Sequence, residues 1–75
     1  MKNNYEGKIL NIPSVYKKGN RLVNDRKKAD IVADKESKKF KGFKFEFVEI
    51  LKPKDEKCED DEVLFCEYVY KLVRR

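Results

Sequence analysis

Apolar and polar positions alternate most clearly between Lys39 and Leu51. Phe43, Phe45 and Phe47 interleave with Lys44 and Glu46. A period of two predicts a strand with one buried and one wet face. The phase then slips, because Val48 and Ile50 are apolar where Glu49 is polar. One strand cannot set 43, 45 and 47 on the same face as 48 and 50 without a bulge or a sharp bend. Gly42 is placed to relieve crowding where the strand begins.

The segment Glu62 to Val73 is apolar or aromatic at nearly every position. As a strand it needs cover on both faces, or a second subunit against one of them. A C-terminal helix over residues 60–74 is the alternative. Acidic residues gather at its start and Lys71, Arg74 and Arg75 at its end, which suits a helix dipole. Glu67 and Lys71 also stand four apart. β-Branched and aromatic residues dominate, however, and a helix apolar all round needs burial all round. The strand reading is preferred.

Fainter strands are expected over Tyr5 to Ile12, over Val15 to Val23 across the Lys18-Gly19 turn, and over Ala29 to Ala33. Pro13-Ser14, Lys17 to Asn20, Asn24 to Lys28, Asp34 to Lys38 and the polar stretch from Lys52 to Glu62 supply the punctuation. The expected fold is all-β: a five- to six-stranded antiparallel meander or partly open barrel, SH3-like or OB-like. An α+β fold with the C-terminal helix is the alternative. With 75 residues and no internal repeat, residues 1–75 form a single small domain. The Glu62–Val73 segment carries more apolar surface than one thin core hides, which predicts a homodimer.

Charge changes the picture. Residues 1–44 hold 13 Lys/Arg against 5 Asp/Glu, whereas residues 45–75 hold 6 against 9. A basic half joined to an acidic segment points to a polyanionic partner. Because 15 of the 19 cations are Lys and Asn is frequent, AT-rich coding bias explains the excess equally well. No apolar run is long enough to span a membrane. Met1 to Lys8 leads into too few apolar residues for a secretory leader. A cytoplasmic protein with reduced thiols is expected, with Cys66 a small core residue and Cys58 a loop thiol.

Catalytic chemistry is scarce. There is no His and no Thr, and the serines, Ser14 and Ser37, both fall in predicted turns. Cys58 lies among Asp55, Glu56, Glu59, Asp60 and Asp61, and negative neighbours suppress a thiolate. The three glycines form no phosphate loop. Two cysteines do not make a structural zinc site, and the acidic run lacks EF-hand spacing. The chain is therefore expected to be no enzyme and to need no metal or other cofactor.

The candidate site is the basic half. Lys17, Lys18 and Arg21 flank one turn, with Tyr16 beside them. Arg26, Lys27 and Lys28 occupy the next. Lys35, Lys38, Lys39, Lys41 and Lys44 surround Phe40 at the third. Alternate turns of a meander fall at the same end, so the first and third groups are expected to converge. Lysines that track phosphates beside rings that stack bases suit single-stranded nucleic acid or a nucleic-acid backbone, without strong sequence preference. Only four arginines are present, which disfavours bidentate base reading. The alternative function is a protein-binding adaptor or inhibitor of the mobile-element kind. It would use Asp55, Glu56, Glu59, Asp60, Asp61 and Glu62 together with the apolar 62–73 segment. The acidic run also reads as a solvated loop, or as a contact for the chain's own basic half.

Asp30 to Phe45, with its Lys38-Lys39-Phe40-Lys41-Gly42-Phe43-Lys44-Phe45 run, resembles the strand–turn–strand hairpins of small OB-type single-strand-binding proteins of phages and plasmids. The resemblance rests on charge and alternation over about a fifth of the chain. It implies a hairpin that holds single strands.

Overall fold

The alternating segment is a strand with a defect where the phase slips. In the computed structural model, which describes residues 5–75, β3 spans Phe43–Leu51. It pairs antiparallel with β4, Val63–Arg74, and the register shifts between Phe47 and Glu49. Val48 is the extra residue. Its bulge puts Phe43, Phe45, Phe47 and Ile50 opposite Arg74, Leu72, Tyr70 and Tyr68 on one face. Lys44, Glu46 and Glu49 lie on the other. Gly42 has no heavy atom within 4 Å of the place a Cβ would occupy, so crowding does not explain it. Its φ of 86° does, since L side chains rarely adopt that backbone.

β4 is the central strand, which overturns the C-terminal helix. It pairs on its other side with β1, Ile9–Lys18. The sheet order is β2-β1-β4-β3, with β2 only Arg21–Leu22. β1 runs straight through Pro13-Ser14, where a break was expected. Pro13 has β4 on one side and no strand on the other, the setting in which a strand accepts proline. β1 turns into β2 through Gly19 and Asn20. Gly19 has φ 58°, and a Cβ there would lie 3.0 Å from the Asp60 carbonyl oxygen, so both conformation and space call for glycine.

The strand expected over Ala29 to Ala33 is absent. Ala29 to Ala33 lies inside a helix, α1, Arg26–Ser37. Its buried residues are Ala29, Ala33 and Ser37, spaced four apart on one stripe. Small side chains let the helix lie close to the sheet. Ile31 and Val32, the apolar core of the expected strand, are 58% and 43% exposed. The Asn24 side chain accepts the Arg26 N–H at 3.1 Å at the helix start. Ser37 satisfies its buried hydroxyl by donating to the Asp34 carbonyl at 2.6 Å. The OB-type hairpin likeness over 30–45 therefore does not hold, because its first half is helical.

The result is mostly β: an open four-stranded antiparallel sheet with one helix on one face. β2 and β3 are its separate edges, so the sheet does not close as a barrel. The core lies between α1 and the sheet. Cys66, Tyr68, Tyr70 and Leu72 of β4 supply its floor, with Leu10, Ile12, Phe45, Phe47 and Ile50 beside them. Most of the Glu62–Val73 apolar surface is thus hidden within the chain. Phe65, 65% exposed on the uncovered face, and Val63, 38% exposed, are the exceptions. No helix among the described residues is long and apolar enough to cross a membrane. The leader reading rests partly on residues 1–4, outside the described residues.

Candidate functional site

Chain direction decides where the charges fall. β1 runs to the β1–β2 hairpin. β2 and α1 carry the chain back. β3 then climbs again, and β4 returns it. The hairpin and the 52–62 loop therefore share one end of the molecule. The helix C-terminus, the start of β3 and the end of β4 share the other. The molecule is 52 Å long, and β1 alone, with 10 residues, spans roughly 30 Å. The two basic groups expected to converge are at opposite ends. The cause is α1: Asn24 to Lys28 is not a reversal between two strands, so the parity of later turns inverts.

At the hairpin end the acidic loop docks on the turn. The Tyr16 hydroxyl donates to Glu56 Oε1 at 2.5 Å, and Lys17 Nζ donates to the Glu56 carbonyl at 3.1 Å. That bond to Glu56 raises the Tyr16 hydroxyl above its ordinary pKa. The Gly19 N–H donates to the Glu62 carbonyl at 3.0 Å, docking the acidic loop against the turn. Lys18 and Arg21 are exposed on the hairpin, and Asp55, Glu59, Asp60 and Asp61 are exposed in the same region. The acidic loop thus contacts the chain's own hairpin through the Glu56 carboxylate and two backbone carbonyls, with no ion pair to Lys17, Lys18 or Arg21 among the described residues. No group of three or more Asp, Glu, Cys or His among the described residues is arranged to hold a metal ion.

The opposite end is different. Lys35 occupies the last turn of α1, and Lys38, Lys39 and Lys41 come after it on the way to β3. Backbone bonds tie three segments there: Gly7 N–H to the Leu72 carbonyl at 2.8 Å, Phe43 N–H to the Phe40 carbonyl at 3.0 Å, and Arg75 N–H to the Gly42 carbonyl at 3.0 Å. These bonds bring Lys8, Arg74 and Arg75 to the same end. Phe40 is half-buried, its ring centroid 4.9 Å from that of Tyr5 and 6.1 Å from that of Phe45. Lys8 Nζ lies 5.3 Å above the Phe40 ring, and the Arg74 guanidinium 6.0 Å from that of Phe43. Tyr5 remains 38% exposed. Two acids answer some of this charge: Glu36 pairs with Lys39 at 3.0 Å and Glu6 with Arg74 at 4.0 Å. Lys44 shares this end but lies on the uncovered sheet face, opposite Val73.

No family model, curated protein or solved structure matches this chain. The site is therefore argued from its own residues. Lys35, Lys38, Lys39, Phe40, Lys41 and Lys44 are gathered at one end. Tyr16, Lys17, Lys18 and Arg21 are not. Tyr5, Lys8, Phe43, Arg74 and Arg75 were missed by the sequence reading. Only the pairing of β4 with both β1 and β3 brings the chain's start and finish beside Phe40.

Between the two ends the covered face is tied by side chains. Tyr70 donates to Asp30 Oδ1 at 2.5 Å, Arg26 Nε to the same oxygen at 2.9 Å, and the Arg26 guanidinium stacks 3.6 Å from the Phe47 ring centroid. Ser14 Oγ donates to Asp25 at 3.1 Å, and the Asp25 N–H donates to the Tyr68 hydroxyl at 3.3 Å. Burial pushes the Cys66 thiol up, which holds it as an inert core residue. Arg26 and Tyr70 are thus engaged in holding the helix to the sheet.

Proposed function

We propose that this protein is a non-catalytic binding module that takes single-stranded nucleic acid, or a nucleic-acid backbone, at the end formed by Tyr5, Lys8, Lys38 to Phe43, Arg74 and Arg75. The observation that carries the reading is the convergence of cations from three separate segments around the Tyr5–Phe40–Phe43 rings. Phosphates are held by such a field with little sequence preference, and an accessible ring adds base stacking. Lysine predominates, which favours backbone contacts over base-edge reading. The 55–62 loop is a weaker anchor for a protein partner, because Glu56 is already engaged by Tyr16 and Lys17.

The test is fluorescence anisotropy with labelled oligonucleotides at low and physiological salt. Single strands are expected to bind with a log–log salt slope of roughly −2 to −4, the release expected for about three to five phosphate contacts. Lys39→Glu with Lys41→Glu is expected to weaken binding at least about tenfold, through lost attraction and added repulsion. Lys17→Glu with Lys18→Glu is expected to change it less than about threefold at physiological salt, since those lysines lie at the far end. Absence of binding at low salt, or equal losses from the two pairs, overturns the reading.

A further inference from the structure

β3 is an edge strand. Its outer N–H and C=O groups face no other strand among the described residues. At Phe43 they are held within the chain, the N–H by the Phe40 carbonyl at 3.0 Å and the C=O by Arg75 Nε at 2.8 Å, so the open edge is centred on Phe45 and Phe47. Such an edge is a template for another strand, and soluble proteins usually blunt it with charges or bulges. Here the Val48 bulge ends the regular edge after Phe47. What remains, Phe43-Lys44-Phe45-Glu46-Phe47, reads the same in both directions apart from an exchange of sign. That pattern decides what fits. In a two-fold antiparallel pair centred on Phe45, Phe45 meets its own copy and Phe43 meets Phe47. Lys44 meets Glu46, and does so twice.

We propose that the β3 edge is an interface for a second copy of this chain, joined antiparallel about Phe45 into one continuous eight-stranded sheet. Charge complementarity extends past the pair itself. Glu46 already lies opposite Lys71 of β4, and Lys44 opposite Val73. Each row across the uncovered face then runs Lys71, Glu46, and Lys44 of the second copy, with no like charges adjacent. On the covered face the three phenylalanines of each edge form cross-strand aromatic pairs. A cleft of about 320 Å³ between α1 and β3, lined by Asp30, Ala33, Ser37, Phe45, Phe47 and Tyr70, leaves side-chain space on that side. A neighbour of any other register, or another chain's strand, has no reason to match this alternation of sign. The interface does not rest on the polyanion reading, and the two surfaces meet at Phe43.

Sedimentation equilibrium of the intact protein at physiological salt tests it. Physiological salt screens distant charges over about 8 Å and leaves the directly opposed Lys44–Glu46 pairs to decide the outcome. The wild type is expected to show a concentration-dependent monomer–dimer equilibrium. Lys44→Glu, which faces only Val73 within its own chain, places two Glu–Glu pairs across the axis and is expected to weaken the dimer about tenfold or more. Glu46→Lys is expected to do the same by placing Lys opposite Lys. The exchanged variant, Lys44→Glu with Glu46→Lys and with Lys71→Glu to keep opposite signs against β4, restores opposite signs across the axis and is expected to recover the dimer. Circular dichroism melts verify that each variant is folded. Phe65→Ser, on the uncovered face, is expected to leave the equilibrium unchanged. A monomer at millimolar concentration overturns the proposal. So does a dimer that ignores the single substitutions, one the exchange fails to restore, or one that Phe65→Ser abolishes.

Discussion

Tyr70 shows how one hydroxyl fixes the helix on the sheet. It is buried in the middle of β4, where a phenol needs a partner, and it finds one in Asp30, one helical turn after Arg26. Asp30 in turn is held below the usual carboxylate range, first by the Tyr70 hydroxyl and then by Arg26. The converse effect acts on the phenol. Burial, reinforced by the hydrogen bond to Asp30, pushes Tyr70 from its ordinary 10.0 up to about 12. The folded chain therefore holds this proton more tightly than the unfolded chain does. Its contribution to stability is full below pH 10 and is lost as pH rises from there toward about 12. Tyr70→Phe keeps the ring but removes the donor. It is expected to cost about 1–2 kcal/mol at neutral pH, read from urea unfolding, because an ionised acceptor loses its partner. It is also expected to make the alkaline fall in stability shallower across that window. Tyr16 and Tyr68, both raised as well, keep a residual slope. An unchanged alkaline slope would show that the Tyr70 hydroxyl does not carry the proton linkage.

At the scale of elements, β3 was the most legible part of the chain, and its irregularity was as legible as its alternation. A change of phase inside a strand has few physical solutions, and the bulge at Val48 is one of them. Removing Val48 tests that account. The deletion leaves Phe47, Glu49 and Ile50 alternating in the register they already hold, so the fold and far-UV spectrum are expected to survive. Stability should change by less than about 1 kcal/mol in a thermal melt, since an exposed side chain is lost and a regular ladder gained. The edge also becomes longer and straighter, and light scattering on heating is expected to rise sooner. A variant that fails to fold would mean the bulge does more than correct the phase. α1 was not legible, for a reason of the same kind. Its buried stripe is Ala29, Ala33 and Ser37, residues too small or polar to count as a hydrophobic face. The adjacent Ile31 and Val32 gave a β-like signal and yet point to solvent. Pattern reading weighs side-chain bulk, whereas a helix lying close on a sheet selects for its absence. β4 was readable as a strand because its aromatic content outweighed the dipole-like charges at its ends, and those charges serve other purposes here.

For the whole molecule, the sequence recorded which residues are basic but not where they meet, because position depended on one misread element. With α1 in place of an expected strand, the C-terminal half of the chain runs in the inverse sense, sending Lys35 to Lys44 away from Lys17 and Arg21 and toward Lys8, Arg74 and Arg75. The acidic loop then lies against the hairpin turn rather than the candidate site. This layout makes a prediction about range. The Asp60, Asp61 and Glu62 carboxylates are roughly 30 Å from the Phe40 end, about the length of β1. The Debye length is about 8 Å at 0.15 M salt and about 30 Å at 0.01 M. Replacing these three by Asn, Asn and Gln should therefore leave oligonucleotide affinity within about twofold at 0.15 M. At 0.01 M their removal should raise the association rate severalfold, because the molecule's net positive field is then felt whole. Stopped-flow anisotropy at the two salt concentrations separates these cases. A loop that competed for the basic end by direct contact would instead raise affinity at both. An acceleration confined to low salt marks it as a distant charge that offsets the hairpin and leaves the opposite end open.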